Sequence, residues 1–115
     1  MKRYCFALDL KDDPKLIQKY IEYHQKVWPE VLKSIRDSGI IEMEIYNVET
    51  RLFMIMETSN DFDPDAKAEA DRNNPKVQKW ESLMDEFQQR LPFAKQGQKW
   101  VPMKKIFSLE EQISE

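Results

Sequence analysis

The stretch Ile41–Thr58, IEMEIYNVETRLFMIMET, decides the fold that this sequence predicts. Apolar side chains recur at every second position in Ile41–Val48 and in Leu52–Thr58, which is the period of a β-strand. The short polar segment Glu49–Arg51 between them is typical of a hairpin turn. The sequence therefore predicts two antiparallel strands. Their inward faces are expected to carry Ile41, Met43 and Ile45, then Leu52, Met54 and Met56.

The segment before the hairpin predicts one strand and two helices. Tyr4–Leu10 alternates large apolar side chains with the smaller Cys5, Ala7 and Asp9 and is expected to be a half-buried strand. A helix over Pro14–His24 follows, because Asp13 is a good N-cap and proline suits the first helical position. A second helix over Pro29–Ser38 should be closed by Gly39.

The segment after the hairpin predicts two helices and a last strand. Asp65–Arg72 is a short, charged and exposed helix, and Asn74-Pro75 repeats the cap-plus-proline start of a longer one. The longer helix should end at Pro92, and Trp100–Phe107 should be the final strand. The apolar stripe of that helix consists of Val77, Trp80, Met84, Phe87 and Leu91.

The order strand, helices, strand, strand, helices, strand predicts an α+β fold. It matches the ferredoxin-like split βαβ arrangement, in which helices cover one face of a four-stranded antiparallel sheet. We expect one domain over residues 1–115. Because no helix is left for the other sheet face, a second copy should cover it and form a homodimer. The side chains expected between the subunits lie near Tyr4, Met54 and Met103.

Composition excludes several classes of function. The 115 residues are 34% charged with a net charge of -3, which does not favour binding to a phosphate backbone. One cysteine, Cys5, cannot form an internal disulfide, and one histidine cannot build a His-rich zinc site. Two glycines are too few for a phosphate-binding loop. The first apolar run, Tyr4–Leu8, is only five residues long before Asp9, which predicts no membrane span and a cytoplasmic protein.

The chemistry available to this chain centres on His24. It is the one side chain whose ordinary pKa lies near neutrality, and Tyr20 lies one helical turn before it on the same face. Trp28, Trp80 and Trp100 offer aromatic faces of the kind on which sugar rings stack. A lone histidine beside aromatic side chains is also a common structural feature. Trp80 likewise fits either the core or a ligand site, so both interpretations stay open.

The segment Tyr20–Glu30, YIEYHQKVWPE, resembles the Y-x3-H-x3-W-P-E signature of the L-rhamnose mutarotase family. The order and spacing of its Tyr, His, Trp, Pro and Glu residues make this motif specific. The resemblance covers nearly the whole chain. Further matches are Gly39, the strand ending Ile45-Tyr46, Arg51–Glu57, Val77–Trp80 and the strand ending Lys105-Ile106-Phe107.

The resemblance implies a small dimeric α/β-barrel enzyme that interconverts the α and β anomers of a 6-deoxy-sugar without a cofactor. It implies that His24 is the proton donor and that Tyr20 contacts the sugar. Mutarotation needs a proton removed from the anomeric hydroxyl and one delivered to the ring oxygen, so a single acid-base group and a partner suffice. The candidates for that partner are Tyr20, Glu81 and a water molecule.

Two departures from the family pattern bear on the sugar. Met43 stands where relatives often carry a tyrosine, and Glu81 follows Trp80 where relatives carry a second tryptophan. L-rhamnose and L-fucose are the leading substrates. A non-catalytic sugar-binding domain and a cofactor-free monooxygenase of the same barrel type are the alternatives. The residues predicted to bind the sugar are Tyr20, Met43, Trp80, Glu81 and Trp28.

Overall fold

The computed structural model describes residues 1–112, which form an antiparallel sheet and four helices. The strands and helices alternate much as the sequence predicts. In chain order they are β1 (Lys2–Leu10), α1 (Pro14–Tyr23), α2 (Pro29–Asp37), β2 (Ile40–Val48), β3 (Arg51–Thr58), α3 (Pro64–Arg72), α4 (Pro75–Asp85), β4 (Gln88–Gln89) and β5 (Val101–Pro102).

The sheet has the strand order β2-β3-β1-β4, and β5 also pairs with β1. All of these pairs are antiparallel. Strand β1 lies at the centre, with Tyr4 opposite Met56 and Leu8 opposite Leu52 on β3. The predicted α+β class with an antiparallel sheet is confirmed.

The helices cover one face of this sheet. Leu8 and Leu52, which are 0% and 1% exposed, pack on that side in one cluster with Tyr20 of α1 and Trp80 of α4. Apolar burial of this kind is the main force that holds a helix layer on a sheet. Further buried members of the cluster are Leu10, Val31, Met84 and Phe87.

The opposite face of the sheet carries the alternate residues of the same strands. Phe53 and Ile55 of β3 are half-buried there, and Tyr46 and Val48 of β2 are 52% and 68% exposed. The dimer contact predicted for side chains of the strands near Tyr4, Met54 and Met103 stays a prediction, but Tyr4 and Met54 themselves lie on the covered face. Met54 is buried in the helix-covered half of the chain, and Tyr4 packs beside Met56 on that side, because strand residues two apart share a face.

The starts and ends of the first two helices follow the predicted signals. The Asp13 carboxylate accepts a hydrogen bond from the backbone N–H of Lys15 at 2.9 Å, which makes it the N-cap of α1. Gly39 follows the C-cap of α2 with a φ of 97°, a left-handed conformation that glycine adopts without strain. This glycine turns the chain directly into β2.

Two predicted boundaries in the second half are wrong. Helix α4 ends at Asp85 and not at Pro92, because the chain then pairs with the edge of β1, where Leu10 lies opposite Gln88. The last strand is only Val101–Pro102, although the N–H of Met103 still donates to Cys5 O at 2.8 Å. Both short strands pair with the same edge of β1, so each has only part of that edge to pair with.

One residue of the hairpin faces the other way from its prediction. A register shift between Ile40 and Glu42 turns Ile41 outward, where it is 61% exposed, and buries Ile40 in its place. No helix within residues 1–112 is long and apolar enough to cross a membrane.

Candidate active site

A cavity of about 700 Å³ lies between the helices and the covered face of the sheet. Its size is in the range typical of small-molecule sites. Five of the six predicted site residues line it, namely Tyr20, His24, Met43, Trp80 and Glu81. The sheet supplies an apolar floor that includes Phe6, Ile45, Met54 and Met56.

His24 is held by the end of helix α1. It is the C-cap residue, and its Nδ1 lies 2.8 Å from the backbone carbonyl oxygen of Tyr20, one turn earlier. The same oxygen also accepts from the backbone N–H of His24 at 3.3 Å, and its two lone pairs allow both bonds. Because a carbonyl cannot donate, Nδ1 carries the proton. The other ring nitrogen, Nε2, then keeps its lone pair.

The surroundings of His24 keep it neutral. Burial lowers the pKa of the imidazole from its ordinary value of 6.5, and the hydrogen bond to the Tyr20 carbonyl offsets this only in part. The ring stands among aromatic side chains, 4.3 Å from the Tyr20 ring and 5.6 Å from the Trp80 ring between centroids. At neutral pH this histidine is therefore a base whose free nitrogen is Nε2.

Tyr20 supplies a hydroxyl that stays protonated. The residue is only 3% exposed, and burial raises the pKa of its phenol to about 12. A hydrogen bond from Gln88 Nε2 to Tyr20 Oη, 3.2 Å long, lowers that pKa, and the charge of Glu81 raises it. A phenol in this state is a hydrogen-bond donor across the physiological pH range.

Glu81 brings a carboxylate to the cavity and is itself held in an ion pair. Its Oε2 lies 2.8 Å from Lys99 Nζ, which also reaches Asp85 Oδ1 at 2.8 Å. The lysine side chain is largely buried at 15% exposure, whereas Glu81 is half-exposed. The second carboxylate oxygen of Glu81 has no partner within the described residues and can accept hydrogen bonds from a ligand.

The predicted contact of Trp28 with the sugar is not supported by the geometry. Trp28 does not line the cavity; its ring packs edge-on against Trp80 with 5.2 Å between centroids. Trp28 is the residue before Pro29 and has a non-helical backbone, with φ −57° and ψ 137°, where the chain bends into α2. Trp80 contacts both Trp28 and His24, with 5.2 Å and 5.6 Å between the ring centroids.

Met43 lies on the sheet side of the cavity. It is half-buried on β2, opposite Met56 of β3. Together with Ile45 it makes this wall apolar where a tyrosine would have offered a hydroxyl. No group of three or more His, Cys, Asp or Glu side chains within residues 1–112 is arranged to hold a metal ion.

Sequence reasoning missed Gln88 as a site residue. Its side chain lines the cavity and bonds to Tyr20 Oη. The sequence places Gln88 inside a predicted helix that reaches Pro92 and assigns it no role. Because the helix ends at Asp85, Gln88 lies in β4 and turns inward. Only the pairing of β4 with β1 could have indicated this.

Comparisons with known proteins show the family of this chain. The family model described as L-rhamnose mutarotase matches residues 3–109. An L-fucose mutarotase from Xanthomonas campestris pv. campestris is 45% identical, across 99% of this chain and 93% of that protein. An L-rhamnose mutarotase from Formosa agariphila is 30% identical, across 96% of this chain and all of that protein.

A solved structure is similar as well. The crystal structure of an L-rhamnose mutarotase from Formosa agariphila superposes with a TM-score of 0.70 at 26% identity. The superposition covers 95% of this chain and 99% of that one. The similarity therefore extends over nearly the whole fold.

Proposed function

Since this chain belongs to the L-rhamnose mutarotase family, whose members are isomerases that act at the anomeric carbon of sugars, we propose that it interconverts the anomers of a 6-deoxy-hexose in the cavity around His24. One observation carries the proposal. A neutral imidazole, with Nδ1 held by the main chain and Nε2 free, stands beside a buried, protonated phenol.

In the proposed reaction His24 moves one proton. Its Nε2 takes the proton from the anomeric hydroxyl, the bond from C1 to the ring oxygen breaks, and the resulting imidazolium returns the proton to the ring oxygen. The open-chain aldehyde rotates about C1–C2 and closes on its other face by the reverse steps. Both oxygens are attached to C1, so one nitrogen can serve both. The net reaction consumes no proton and no co-reactant.

Tyr20 is proposed to assist as a hydrogen-bond donor. A phenol with a pKa of about 12 is not a base near neutrality, so it is a poor candidate for removing the anomeric proton. Its hydroxyl can donate to the ring oxygen while negative charge develops there as the ring opens. Stabilising a developing charge with a positioned donor is a large term in enzyme catalysis. Glu81 is proposed to accept hydrogen bonds from sugar hydroxyls.

The apolar floor of the cavity supports a 6-deoxy-sugar as the substrate. Such a sugar carries a methyl group where other hexoses carry a hydroxymethyl group, and Met43, Ile45 and Met54 offer this methyl an apolar wall. L-rhamnose and L-fucose share the methyl group but differ in the orientation of the hydroxyls at C2 and C4. The 45% identical relative is an L-fucose mutarotase, so both sugars are candidates.

Anomer exchange measured by saturation-transfer NMR tests this proposal. Saturating the α-anomer proton signal should reduce the β-anomer signal of L-rhamnose, L-fucose or both when the protein is present. Glucose, which carries a hydroxymethyl group, is the matched control and should exchange more slowly. A protein that perturbs the sugar signals without speeding exchange would instead be a sugar-binding domain. Oxygen consumption with an aromatic substrate would indicate the monooxygenase alternative.

We also propose that two copies of this chain pair through the uncovered sheet face as a dimeric α/β barrel of two ferredoxin-like units. That face is partly apolar, and the chain after β5 adds further exposed apolar side chains. Large exposed apolar patches mark interaction sites on soluble proteins. The exposed side chains after β5 are Met103, Ile106, Phe107 and Leu109, at 50%, 91%, 63% and 79% exposure. The cytoplasmic location and the single domain stay predictions.

A further inference from the structure

The amide of Gln88 is bonded at one end only. Its Nε2 donates to Tyr20 Oη at 3.2 Å. Its Oε1 is shielded from solvent and has no hydrogen-bond partner within residues 1–112. The side chain lines the cavity from β4, on the same side as Tyr20 and His24.

An unpaired buried carbonyl oxygen lowers the stability of the fold. Moving an amide out of water without replacing its hydrogen bonds is unfavourable, and one bond at Nε2 replaces only part of what is lost. A methionine at this position would fill nearly the same volume without a polar atom to satisfy. Packing alone therefore does not explain a glutamine here, and the bond to Tyr20 is the feature that requires it.

This bond fixes the direction of the Tyr20 proton. A phenolic oxygen that accepts from Gln88 Nε2 cannot donate back along the same line, so its own O–H points elsewhere. Burial leaves the hydroxyl no bulk water to donate to, and the open direction is the cavity that it lines. The imidazole of His24 stands beside the phenol there, with 4.3 Å between the ring centroids.

We propose that Gln88 is a positioning residue, which orients the Tyr20 hydroxyl so that its proton is presented to the sugar beside His24. The inference rests on the proposed function, because it assigns Gln88 a role in that same reaction. Gln88 acts through Tyr20 and need not touch the sugar. Leaving Oε1 unpaired then lowers the stability of the fold, and in return the site has a preorganised hydrogen-bond donor.

The test compares Gln88→Met with the matched control Gln89→Met, whose side chain lies next along β4 but is exposed. Anomer exchange is measured against sugar concentration, and thermal unfolding is followed for each protein. We expect Gln88→Met to lower kcat/KM about fivefold to tenfold, the scale of one lost hydrogen bond. Its Tm should stay at or above that of the wild type. Gln89→Met should match the wild type in both measurements.

A double variant separates positioning from a general effect on the fold. If Gln88 acts through the Tyr20 hydroxyl, then adding Gln88→Met to Tyr20→Phe should cause no further loss of rate. A loss that is as large in the Tyr20→Phe background as in the wild type would overturn the proposal. A rate for Gln88→Met at or above the wild-type rate would also overturn it. That result would mean that the amide oxygen faces Tyr20 and accepts the hydrogen bond from its hydroxyl, so that this proton is not presented to the sugar.

The outcomes also distinguish this inference from the proposed function. If the wild-type protein accelerates anomer exchange and Gln88→Met does so equally, only the inference about Gln88 is wrong. If the wild-type protein accelerates exchange of no 6-deoxy-sugar, the proposed function is wrong and the positioning role is wrong with it. A fall in Tm that accompanies the fall in rate would assign Gln88 a structural role.

Discussion

At the residue scale the site depends on how one backbone carbonyl holds His24. The carbonyl oxygen of Tyr20 accepts from Nδ1 at 2.8 Å and also from the backbone N–H of His24 at 3.3 Å, which its two lone pairs allow. This contact sets the tautomer, and burial sets the charge. His24 lies at the end of α1, four residues after Tyr20, and aromatic side chains surround it. This arrangement places a neutral base next to a phenol.

His24→Ala should reduce the anomer-exchange rate by about 10² or more, because it removes the group that transfers the proton. The rate is measured by saturation-transfer NMR with L-rhamnose and L-fucose. Circular dichroism and sugar-induced changes in tryptophan fluorescence report whether the fold and the binding survive. His24→Asn keeps a polar side chain and should be equally slow. Exchange at the wild-type rate would mean that the histidine is structural.

Tyr20→Phe should cost less than loss of the histidine. It keeps the ring that packs between His24 and Phe87 and removes only the hydroxyl that bonds to Gln88. We expect kcat/KM to fall by an amount that corresponds to roughly 1 kcal/mol of transition-state stabilisation, the scale of one hydrogen bond. The same NMR exchange measurement, carried out over a range of sugar concentrations, checks this. A loss as large as that of His24→Ala would instead give Tyr20 the main role in proton transfer.

The rate should stay high down to slightly acidic pH. Because burial lowers the pKa of His24 below 6.5, the neutral base persists at pH values where an exposed histidine is already protonated. The acid limb of the pH-rate profile should therefore have its midpoint below 6.5. A midpoint above 6.5 would contradict this description of the site.

The same depressed pKa makes stability depend on pH in a defined direction. As the pH falls below 6.5, the unfolded chain takes up a proton on His24 before the folded protein does. The unfolded state then binds more protons, so the free energy of unfolding decreases until the pH reaches the folded pKa. His24→Asn should lack this contribution, which urea titrations at several pH values can measure.

At the element scale the junction between α2 and β2 depends on Gly39. Its φ is 97°, and a Cβ added there would lie 2.9 Å from Ser59 Oγ. The Ser59 N–H also donates to the Gly39 carbonyl oxygen at 2.9 Å, so the glycine joins the helix end to the loop after β3. Both the backbone conformation and the close approach require a residue without a side chain.

Gly39→Ala should lower the free energy of unfolding by about 1–2 kcal/mol, the cost of a left-handed alanine plus a close contact. Gly97→Ala is the matched control. It also has a positive φ, 79°, but its Cβ would meet nothing within 4 Å. The control should therefore lose less stability. Urea denaturation of both variants tests the difference, and equal losses would show that the contact with Ser59 is unimportant.

At the scale of the whole molecule the two faces of the sheet have different roles. One face and the helices enclose the cavity with His24. The other face carries the half-buried side chains of Phe53 and Ile55 and the exposed ones of Tyr46 and Val48. Substitutions on one face should therefore leave the proposed role of the other face unchanged.

Ile55→Asp should therefore weaken the proposed dimer, because it puts a charge into the centre of the uncovered face. Sedimentation at micromolar concentration should give about twice 13.8 kDa for the wild type and the monomer mass for the variant. Ala66→Asp, which adds the same charge on exposed helix α3, should leave the mass unchanged. A monomeric wild type would rule out the dimer.

The sequence by itself determined the first three strands, the helix starts and the family. Alternation in β1, β2 and β3, and the caps before Pro14 and Pro75, are local signals whose physics does not depend on distant residues. The spacing of Tyr20, His24 and Trp28 carried the resemblance to the mutarotases. It also brought Tyr20 and His24 onto one side of a helix.

Only the tertiary structure decided where α4 ends, which way Ile41 and Gln88 face, and that Trp28 lies outside the cavity. The apolar spacing from Val77 to Leu91 fits a longer helix, but backbone pairing of Leu10 with Gln88 ends it early. The side chain of Trp28 is turned by the bend at Pro29 and by its packing on Trp80. Contacts between residues far apart in the chain make these choices, and local sequence patterns do not contain them.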